Sequence, residues 1–453
     1  MRESPYPLEQ SLGISWYATD TPGIGGYLRR EPEDFVVTEE PAGPWGDTGP
    51  YLVLRLTKRN WEQQRLVKEI ARALGISHRR ISWAGTKDRR AVATQYITVY
   101  GLEPDAIGRV TLPDVHLEVV GRSARAIPLG DLQGNRFSIR IRGCDPEDLA
   151  GRVAEVARAG ASGIPPSAFP NPGFPPSGFP NTGIPRSDSP NTGFPNYVGI
   201  QRFGVIRPVT HLVGERILRG ELGGAVMTYL GAPSASEPEE VRGAREAFSA
   251  DRDVKEALRR YPVRLTFERA MLHHLDGHPA DFAGALLALP PRLLSLFVSA
   301  YQSFLFNTLL SRRCGKGIPL DRPAPGDRLL FADGKEDRVT AGNLGAAALQ
   351  VSRGRARLGL FVPGSGGPPA PGQDGDPAWE LLGELGITGE DFARAARIVG
   401  AAYEGMTRPV SLGAEIGYEA TGTEVTLGFF LGPGQYATTV CREFMKADPV
   451  RMI

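Results

Sequence analysis

Cysteine is scarce in this chain, with three residues among 453. Cys144, Cys314 and Cys441 lie far apart and form no C-x-x-C pair, which argues against a zinc knuckle and is typical of a reducing compartment. We therefore expect a cytoplasmic protein. No uninterrupted apolar run approaches the roughly 18–20 residues needed to span a bilayer, so we expect no membrane association. The N-terminal residues also lack the apolar stretch of a signal peptide.

Net charge is small as well, at +1. That value alone is a weak indicator of nucleic-acid binding, but its distribution along the chain is uneven. The span 79–142 contains eleven Lys or Arg and six Asp or Glu, which leaves the rest of the chain slightly acidic. A local excess of cations binds a phosphate backbone without reading its sequence. This span therefore predicts a surface that binds a polyanion.

The length of the chain favours two domains over one core. Residues 1–160 show strand and helix patterns of mixed α/β type, whereas residues 196–408 show mainly helical periodicity. Strand alternation returns after residue 409, with a strand over 425–431 and a final helix over 436–445. We therefore predict an α+β fold, in which residues 1–160 and 409–453 share one mixed sheet and residues 196–408 are a helix-rich insertion.

Residues 161–195 differ from everything around them. A ten-residue pattern close to S-x-F-P-N-T-G-F-P repeats three times there. Pro before Asn, with Gly two residues later, is typical of turns, and the remaining residues cannot build a core. We predict a disordered insert that is dispensable for chemistry, because Arg186 is its only cation.

The segment 85–95 is the best candidate for chemistry. It places Asp88 among Lys87, Arg89 and Arg90, between a short buried strand pattern and a longer alternating one. Cations nearby keep a carboxylate ionised and attract phosphate. Taken alone, the same pattern also describes an ordinary turn with a surface ion pair.

Two further segments pair an aromatic residue with a polar one. Asn135 and Phe137 are two positions apart in a strand pattern, so they share a face and could read a base edge and pack beside it. Tyr436 stands at a helix start, with Arg442 two turns later. Each also has an ordinary structural interpretation, as a turn cap, a core aromatic or a packed helix residue.

Two other segments complete the set. Arg29 and Phe35 supply a cation and an aromatic before the first predicted strand, and residues 196–204 interleave aromatics, amides and Arg202 between glycines. Together, the five segments resemble, in order, the motifs of the TruD family of tRNA pseudouridine synthases. The matching segments are P-E-D-F-V-V at 32–37, G-T-K-D-R-R-A-V-A-T-Q at 85–95, G-N-R-F at 134–137, N-Y-V-G-I-Q-R-F-G at 196–204 and G-Q-Y-A-T-T-V-C-R-E at 434–443. Val198 replaces the family's usual Phe, and the 161–195 repeats have no counterpart in the motifs.

The resemblance implies a pseudouridine synthase sheet built from both chain ends, an inserted TRUD domain, and isomerisation of uridine at tRNA position 13. It implies no metal and no organic cofactor, tRNA as the partner, no obligatory protein partner, and we expect a monomer. Asp88 would be the catalytic carboxylate, because the glycosidic link can move from N1 to C5 through attack on C1′ or through removal of the C2′ proton. The expected substrate-binding residues are Arg29, Phe35, Lys87, Asn135, Phe137, Tyr436 and Arg442. Among them, Phe35 and Tyr436 would stack on bases, and Asn135 would read a base edge.

Two other function classes fit parts of the pattern. A non-catalytic tRNA-binding chaperone would share the basic span, but it would gain nothing from an anion beside phosphates. A metal-dependent nuclease would need carboxylates and histidines clustered around Asp88, and the sequence has none near it.

Overall fold

The computed structural model describes residues 1–161, 193–366 and 376–452. The three repeats up to residue 192, together with residues 367–375, lie outside the described residues. The strands are β1 (Arg2–Glu3), β2 (Trp16–Tyr17), β3 (Gly25–Tyr27), β4 (Phe35–Pro41), β5 (Tyr51–Arg59), β6 (Ile81–Trp83), β7 (Val92–Tyr100), β8 (Val115–Ser123), β9 (Leu132–Cys144), β10 (Phe194–Pro195), β11 (Arg328–Phe331), β12 (Glu336–Arg338), β13 (Ala356–Val362), β14 (Met406–Pro409), β15 (Ser411–Leu412), β16 (Gly417–Thr421) and β17 (Glu424–Leu431). The helices are α1 (Pro7–Ser11), α2 (Gln63–Leu74), α3 (Leu149–Gly160), α4 (Thr210–Leu218), α5 (Leu222–Gly231), α6 (Glu239–Asp251), α7 (Val254–Arg260), α8 (Thr266–Gly277), α9 (Phe282–Leu287), α10 (Pro291–Gly315), α11 (Leu344–Ser352), α12 (Pro377–Leu385), α13 (Gly389–Val399) and α14 (Ala437–Met445).

The described residues divide into two compact units, one of residues 19–161 and 413–452 and the other of residues 1–18 and 194–412. The first unit is built on a nine-stranded mixed sheet in the order β16-β17-β9-β4-β7-β5-β8, with β3 paired to β9 and β6 paired to β7. Strands β4 and β7 pair in parallel, and β17 pairs with β9 from Glu424 opposite Arg142 to Leu431 opposite Asn135. The C-terminal strand thus completes the N-terminal sheet, as the sequence predicted.

Helix α2 covers one face of this sheet. The Glu62 side chain caps its start by accepting hydrogen bonds from the backbone N–H of Gln64 at 2.8 Å and of Arg65 at 2.7 Å. Gly75 ends it in the left-handed conformation at φ 66°. The apolar residues of α2 pack on alternate residues of β5 and β7 and form the core there. The buried cluster contains Leu52, Leu54, Leu56, Leu66, Val67, Ile70, Ala71, Leu74, Ile81, Ile97, Val99 and Leu102.

The second unit holds helices α4 to α13, and it also contains a sheet that the sequence did not predict. Strands β12-β11-β13-β14 form four antiparallel neighbours. These strands are short and lie among helices, so their alternation was too brief to separate from loop sequence. The predicted helix-rich character of residues 196–408 therefore describes most, but not all, of this unit.

Residues 1–18 require a correction to the predicted boundary, which placed them with the mixed sheet. In the structure they belong to the second unit, because α10 binds their backbone. Asn307 donates to the carbonyl of Leu12 at 3.2 Å, and Ser311 donates to the carbonyl of Gly13 at 2.6 Å. Such contacts join positions nearly 300 residues apart, which no local pattern reveals.

Helix α10 is, within the described ranges, the one helix long and apolar enough to span a bilayer by length and composition. More than half of its apolar window, 56%, is buried inside the protein. The uninterrupted-run criterion missed it because polar residues such as Gln302 and Asn307 interrupt the apolar stretch. Asn307 is fully buried and bonded to backbone groups, as expected for a core helix of a helical unit.

Candidate active site

Asp88 lies in the loop that joins β6 to β7. The loop is held at both ends, since the N–H of Asn60 donates to the carbonyl of Ala91 at 3.1 Å and Ala84 is buried. The Asp88 side chain itself is about half exposed, at 53%. The sheet therefore supports a fixed loop whose carboxylate remains open to solvent in the RNA-free chain.

Arg29 is the cation that holds Asp88. Its Nη2 donates to Asp88 Oδ2 at 2.6 Å, and its own side chain is only 9% exposed. The guanidinium also lies over the Phe35 ring, with Cζ 4.1 Å from the ring centroid. Arg29 has a φ of 54°, a left-handed conformation that costs a non-glycine residue roughly 1–2 kcal/mol. Such strain persists only where the surroundings determine it, which here includes the carbonyl of Met452 at 3.4 Å.

Behind Arg29, the rings of three phenylalanines are in contact with one another. Phe35 packs edge-on against Phe137 at 5.9 Å between centroids, and Phe137 stacks on Phe429 at 5.5 Å. Phe35 is 2% exposed, whereas Phe137 is half-buried. Phe35 therefore supports the Arg29 guanidinium in this structure, and Phe137 is the more accessible of the two rings.

Lys87 occupies a different place from the one its sequence neighbourhood suggested. Its ammonium forms a short, buried ion pair with Glu39 on β4, and the two side chains are 6% and 2% exposed. The other carboxylate oxygen of Glu39 accepts from the backbone N–H of Tyr96 at 3.2 Å. Lys87 thus fixes the loop to the sheet beside Asp88, and Arg29, 59 positions away in sequence, forms the direct ion pair.

Lys58 is a residue that sequence reasoning missed. It is fully buried at the end of β5, and its ammonium donates to the carbonyls of Trp61 at 2.7 Å, Lys87 at 3.1 Å and Asp88 at 3.2 Å. Burial lowers the pKa of Lys58 to about 8, and the negative charge of Asp88 partly opposes this shift. The available signal was its register, because it continues the buried face of Leu54 and Leu56.

Asn135 lies on β9 directly opposite Glu39 of β4 and Leu431 of β17. Its Oδ1 atom is buried, and no protein group in the described ranges donates a hydrogen bond to it. Buried acceptors normally have a donor, so an orphaned one is unusual. Asn135 shares its sheet face with Phe137 and with Glu39, the partner of Lys87.

The C-terminal motif divides into an accessible residue and a buried one. Tyr436 is half-buried at the start of α14, just after the Gly432–Gly434 turn that follows β17. Arg442 is 4% exposed within α14, and its Nη1 lies 3.3 Å from Glu443 Oε1. In this buried position Arg442 stabilises the packing of α14, and its side chain does not form part of the protein surface. Cys441 beside it is no nucleophile, because burial raises the pKa of its thiol to about 12.

Among the described residues, no three His, Cys, Asp or Glu side chains converge in a way that could hold a metal ion. Arg29 joins the Asp88 carboxylate to the aromatic stack of Phe35, Phe137 and Phe429, and Asn135, with its unpaired amide oxygen, lies two positions before Phe137 on β9. They can stabilise charge at a sugar, pack against a base and hydrogen-bond its edge.

Comparisons with known proteins agree with this architecture. The profile of the family described as tRNA pseudouridine synthase D (TruD) matches residues 11–444. A protein of Methanococcoides burtonii named probable tRNA pseudouridine synthase D is 37% identical over 98% of both chains, and one of Halobacterium salinarum is 36% identical over the full length of both. The crystal structure of a putative tRNA pseudouridine synthase D from Methanosarcina mazei superposes with a TM-score of 0.77 at 36% identity, covering 99% of this chain and all of that one. This chain, with its α+β pseudouridine synthase fold, belongs to the tRNA pseudouridine synthase D (TruD) family.

Proposed function

We propose that this protein isomerises uridine to pseudouridine in tRNA, at position 13, with Asp88 as the catalytic carboxylate. The observation that carries the proposal is the Arg29–Asp88 pair at 2.6 Å, in which the acid is held by a buried cation yet remains half exposed. Here the buried Arg29 is fixed in position, and the Asp88 carboxylate is accessible from the solvent.

The chemistry needs few groups. The N1–C1′ bond of the uridine breaks, the detached uracil rotates, and C5 forms the new bond to C1′ while its proton leaves and N1 gains one. Asp88 either attacks C1′ and is later displaced, or removes the C2′ proton to give a glycal that is reprotonated at C2′. Both routes start from the ionised carboxylate.

We assign base recognition to three further residues of the same unit. The orphaned Oδ1 of Asn135 can accept from the N–H of an everted uracil, and Phe137 and Tyr436 offer half-buried rings for packing. Arg29, supported by Phe35, balances the charge of Asp88 and fixes the position of its carboxylate. Lys87 and Arg442 act by fixing the loop and the final helix, since both are buried.

Asp88→Asn tests the proposal. This nearly isosteric change removes the negative charge, so we expect pseudouridine formation to fall below about a thousandth of the wild-type rate while tRNA affinity stays nearly the same. Carbodiimide mapping of tRNA at single-nucleotide resolution measures both the rate and the position. Asp105→Asn, an exposed acid of the same unit, is the matched control and should retain full activity.

Three results would count against the proposal. Undiminished modification by Asp88→Asn would remove Asp88 from the chemistry. Modification at another nucleotide would remove position 13. A purified wild-type protein that protects tRNA in footprints without forming pseudouridine would instead be a non-catalytic RNA-binding protein.

A further inference from the structure

Leu129 is the most exposed large hydrophobic side chain of the described residues, at 80%. A single exposed leucine is ordinary on a protein surface. Its position is what distinguishes it, because it lies on the short turn between Ile127 and Leu132, directly before the strand that carries Asn135.

This turn is fixed to the loop of Asp88. The N–H of Gly130 donates to the carbonyl of Ala84 at 2.7 Å, and Ala84 immediately precedes the motif Gly85 to Asp88. The N–H of Ile127 donates to Thr98 Oγ1 of β7 at 3.1 Å, and the Ile127 side chain is buried. Leu129 is therefore held between the segment that leads to Asp88 and the strand of Asn135.

Further contacts close the turn. The N–H of Asp131 donates to the carbonyl of Pro128 at 3.2 Å, and Arg125 Nη2 lies 3.0 Å from Asp131 Oδ2. Gly130 has a φ of +89°, which a side-chain-bearing residue rarely adopts. A turn with this many constraints presents Leu129, its one exposed large hydrophobic side chain, outward in a defined position, within the cation-rich span 79–142.

We propose that Leu129 is an RNA wedge, which enters the base stack next to the target uridine and fills the space that the everted base leaves. The inference rests on the proposed function and deepens it. A base must leave its stack before Asp88 can reach the sugar, and apolar side chains inserted between bases are a known means of separating them. The wedge and the acid are mounted on segments that are hydrogen-bonded to each other, so unstacking and chemistry occur at one place.

The first test compares substrates. With intact tRNA, Leu129→Ala lowers kcat/KM by about tenfold or more, because nothing holds the stack open. Leu129→Met, which keeps volume and apolar character, stays within about threefold of wild type. Val119→Ala, at another exposed apolar position of the same unit, is the matched control and has no effect.

A tRNA with an abasic site opposite the target uridine separates the wedge from general damage to the turn. Its uridine leaves the stack at lower cost, so the deficit of Leu129→Ala shrinks to less than about threefold. Equal deficits on both RNAs, or no deficit on intact tRNA, would overturn the proposal.

The second test does not depend on turnover. 2-Aminopurine beside the target uridine becomes fluorescent when it is unstacked, and the Asp88→Asn protein binds without reacting. We expect the fluorescence rise on binding to be lost when Leu129→Ala is added, at equal occupancy. An unchanged rise would refute the wedge even if the enzyme proved active. An inactive wild-type protein would refute the proposed function, while this measurement would still decide the role of Leu129.

Discussion

Candidate residues for this site could be named from sequence, but their pairings could not. Asp88 was a candidate because it lies in a polar, cation-rich segment between two strand patterns. Its partner Arg29 is 59 positions away, and the adjacent Lys87 is committed to Glu39 instead. Lys87 and Asp88 are adjacent in the loop between β6 and β7, yet their side chains bind different partners, so proximity in the sequence did not reveal the ion pair.

Lys58 shows what a residue-level reading can overlook. Its ammonium bridges three carbonyl oxygens, two of which belong to Lys87 and Asp88. A neutral amine has one N–H fewer and no charge, so it holds the loop less well. The pKa of Lys58, lowered to about 8 by burial, places this change in an accessible pH range.

We predict that wild-type activity falls as the pH rises through about 8, where folded Lys58 loses its proton. The stability of the fold is expected to change with pH in the opposite direction. Because the folded pKa lies below the unfolded value, raising the pH from about 8 towards 10.5 relieves the cost of burying the charge and stabilises the fold. Melting temperature and kcat measured across this range should therefore move in opposite directions.

Lys58→Met provides the variant for this prediction. It should lower kcat at pH 7 by about tenfold or more and remove the alkaline decline, because three carbonyls lose their donor and nothing titrates. Lys68→Met, an exposed lysine on α2, should leave the profile unchanged. An alkaline limb that persists unaltered in Lys58→Met would assign it to another group.

At the level of elements, the strongest local patterns gave accurate bounds. The final helix, predicted over residues 436–445, runs from Ala437 to Met445. Strand β17 was recognisable from its own alternation. The four strands β11 to β14 were missed because three of them have only three or four residues and all owe their conformation to pairing with one another.

The repeat segment 161–195 leads to a prediction about which of its residues can be deleted. The sequence alone suggested that the whole of residues 161–195 is dispensable. In the structure, however, β10 begins at Phe194, which is fully buried and pairs with Leu412 of β15. We therefore expect deletion of residues 165–192 to keep activity within about tenfold, or roughly 1.4 kcal/mol, because Arg186 is the only cation of the segment and its sequence cannot build a core.

Extending the deletion to residue 194 should destabilise the protein by about 3–5 kcal/mol, the usual effect of losing a buried Phe. Thermal unfolding of both deletions, with Phe194→Ala in the full chain as the control, measures the difference. Equal stability of the two deletions would mean that β10 contributes nothing. A loss of activity greater than about tenfold in the 165–192 deletion would indicate that the repeats have a role in RNA binding.

At the scale of the molecule, the mixed sheet joins residues that lie far apart in the chain. Strand β17 covers the edge of β9 along eight register positions, and without residues 413–452 this edge would be open. The sheet can therefore be completed only after the middle of the chain has been made. Discontinuity of this kind was predictable, since strand alternation stopped near residue 142 and returned after residue 409.

The net charge of +1 conceals a second basic feature outside the span 79–142. The guanidinium groups of Arg30 and Arg451 both lie over the Tyr27 ring, with Cζ 4.3 Å and 5.0 Å from its centroid. Neither forms an ion pair with an acid in the described part of the chain. The N–H of Leu28 donates to the carbonyl of Arg451 at 2.9 Å, which fixes this pair beside Arg29.

Two cations that lie over the same ring, and that form no ion pair in the described part of the chain, are well suited to binding phosphate groups. We predict that Arg30→Gln and Arg451→Gln each weaken tRNA binding and reduce the slope of log Kd against log salt by about 0.7–0.9, the effect of one lost phosphate contact. At saturating tRNA, kcat should remain unchanged, since neither residue contacts Asp88.

Arg72→Gln serves as the control, because Arg72 is neutralised by Glu69 at 2.6 Å and should leave the slope intact. Filter binding between 50 and 200 mM salt covers a range in which such slopes are readily measured. A slope that both variants leave unaltered would mean that the RNA backbone passes elsewhere on the unit.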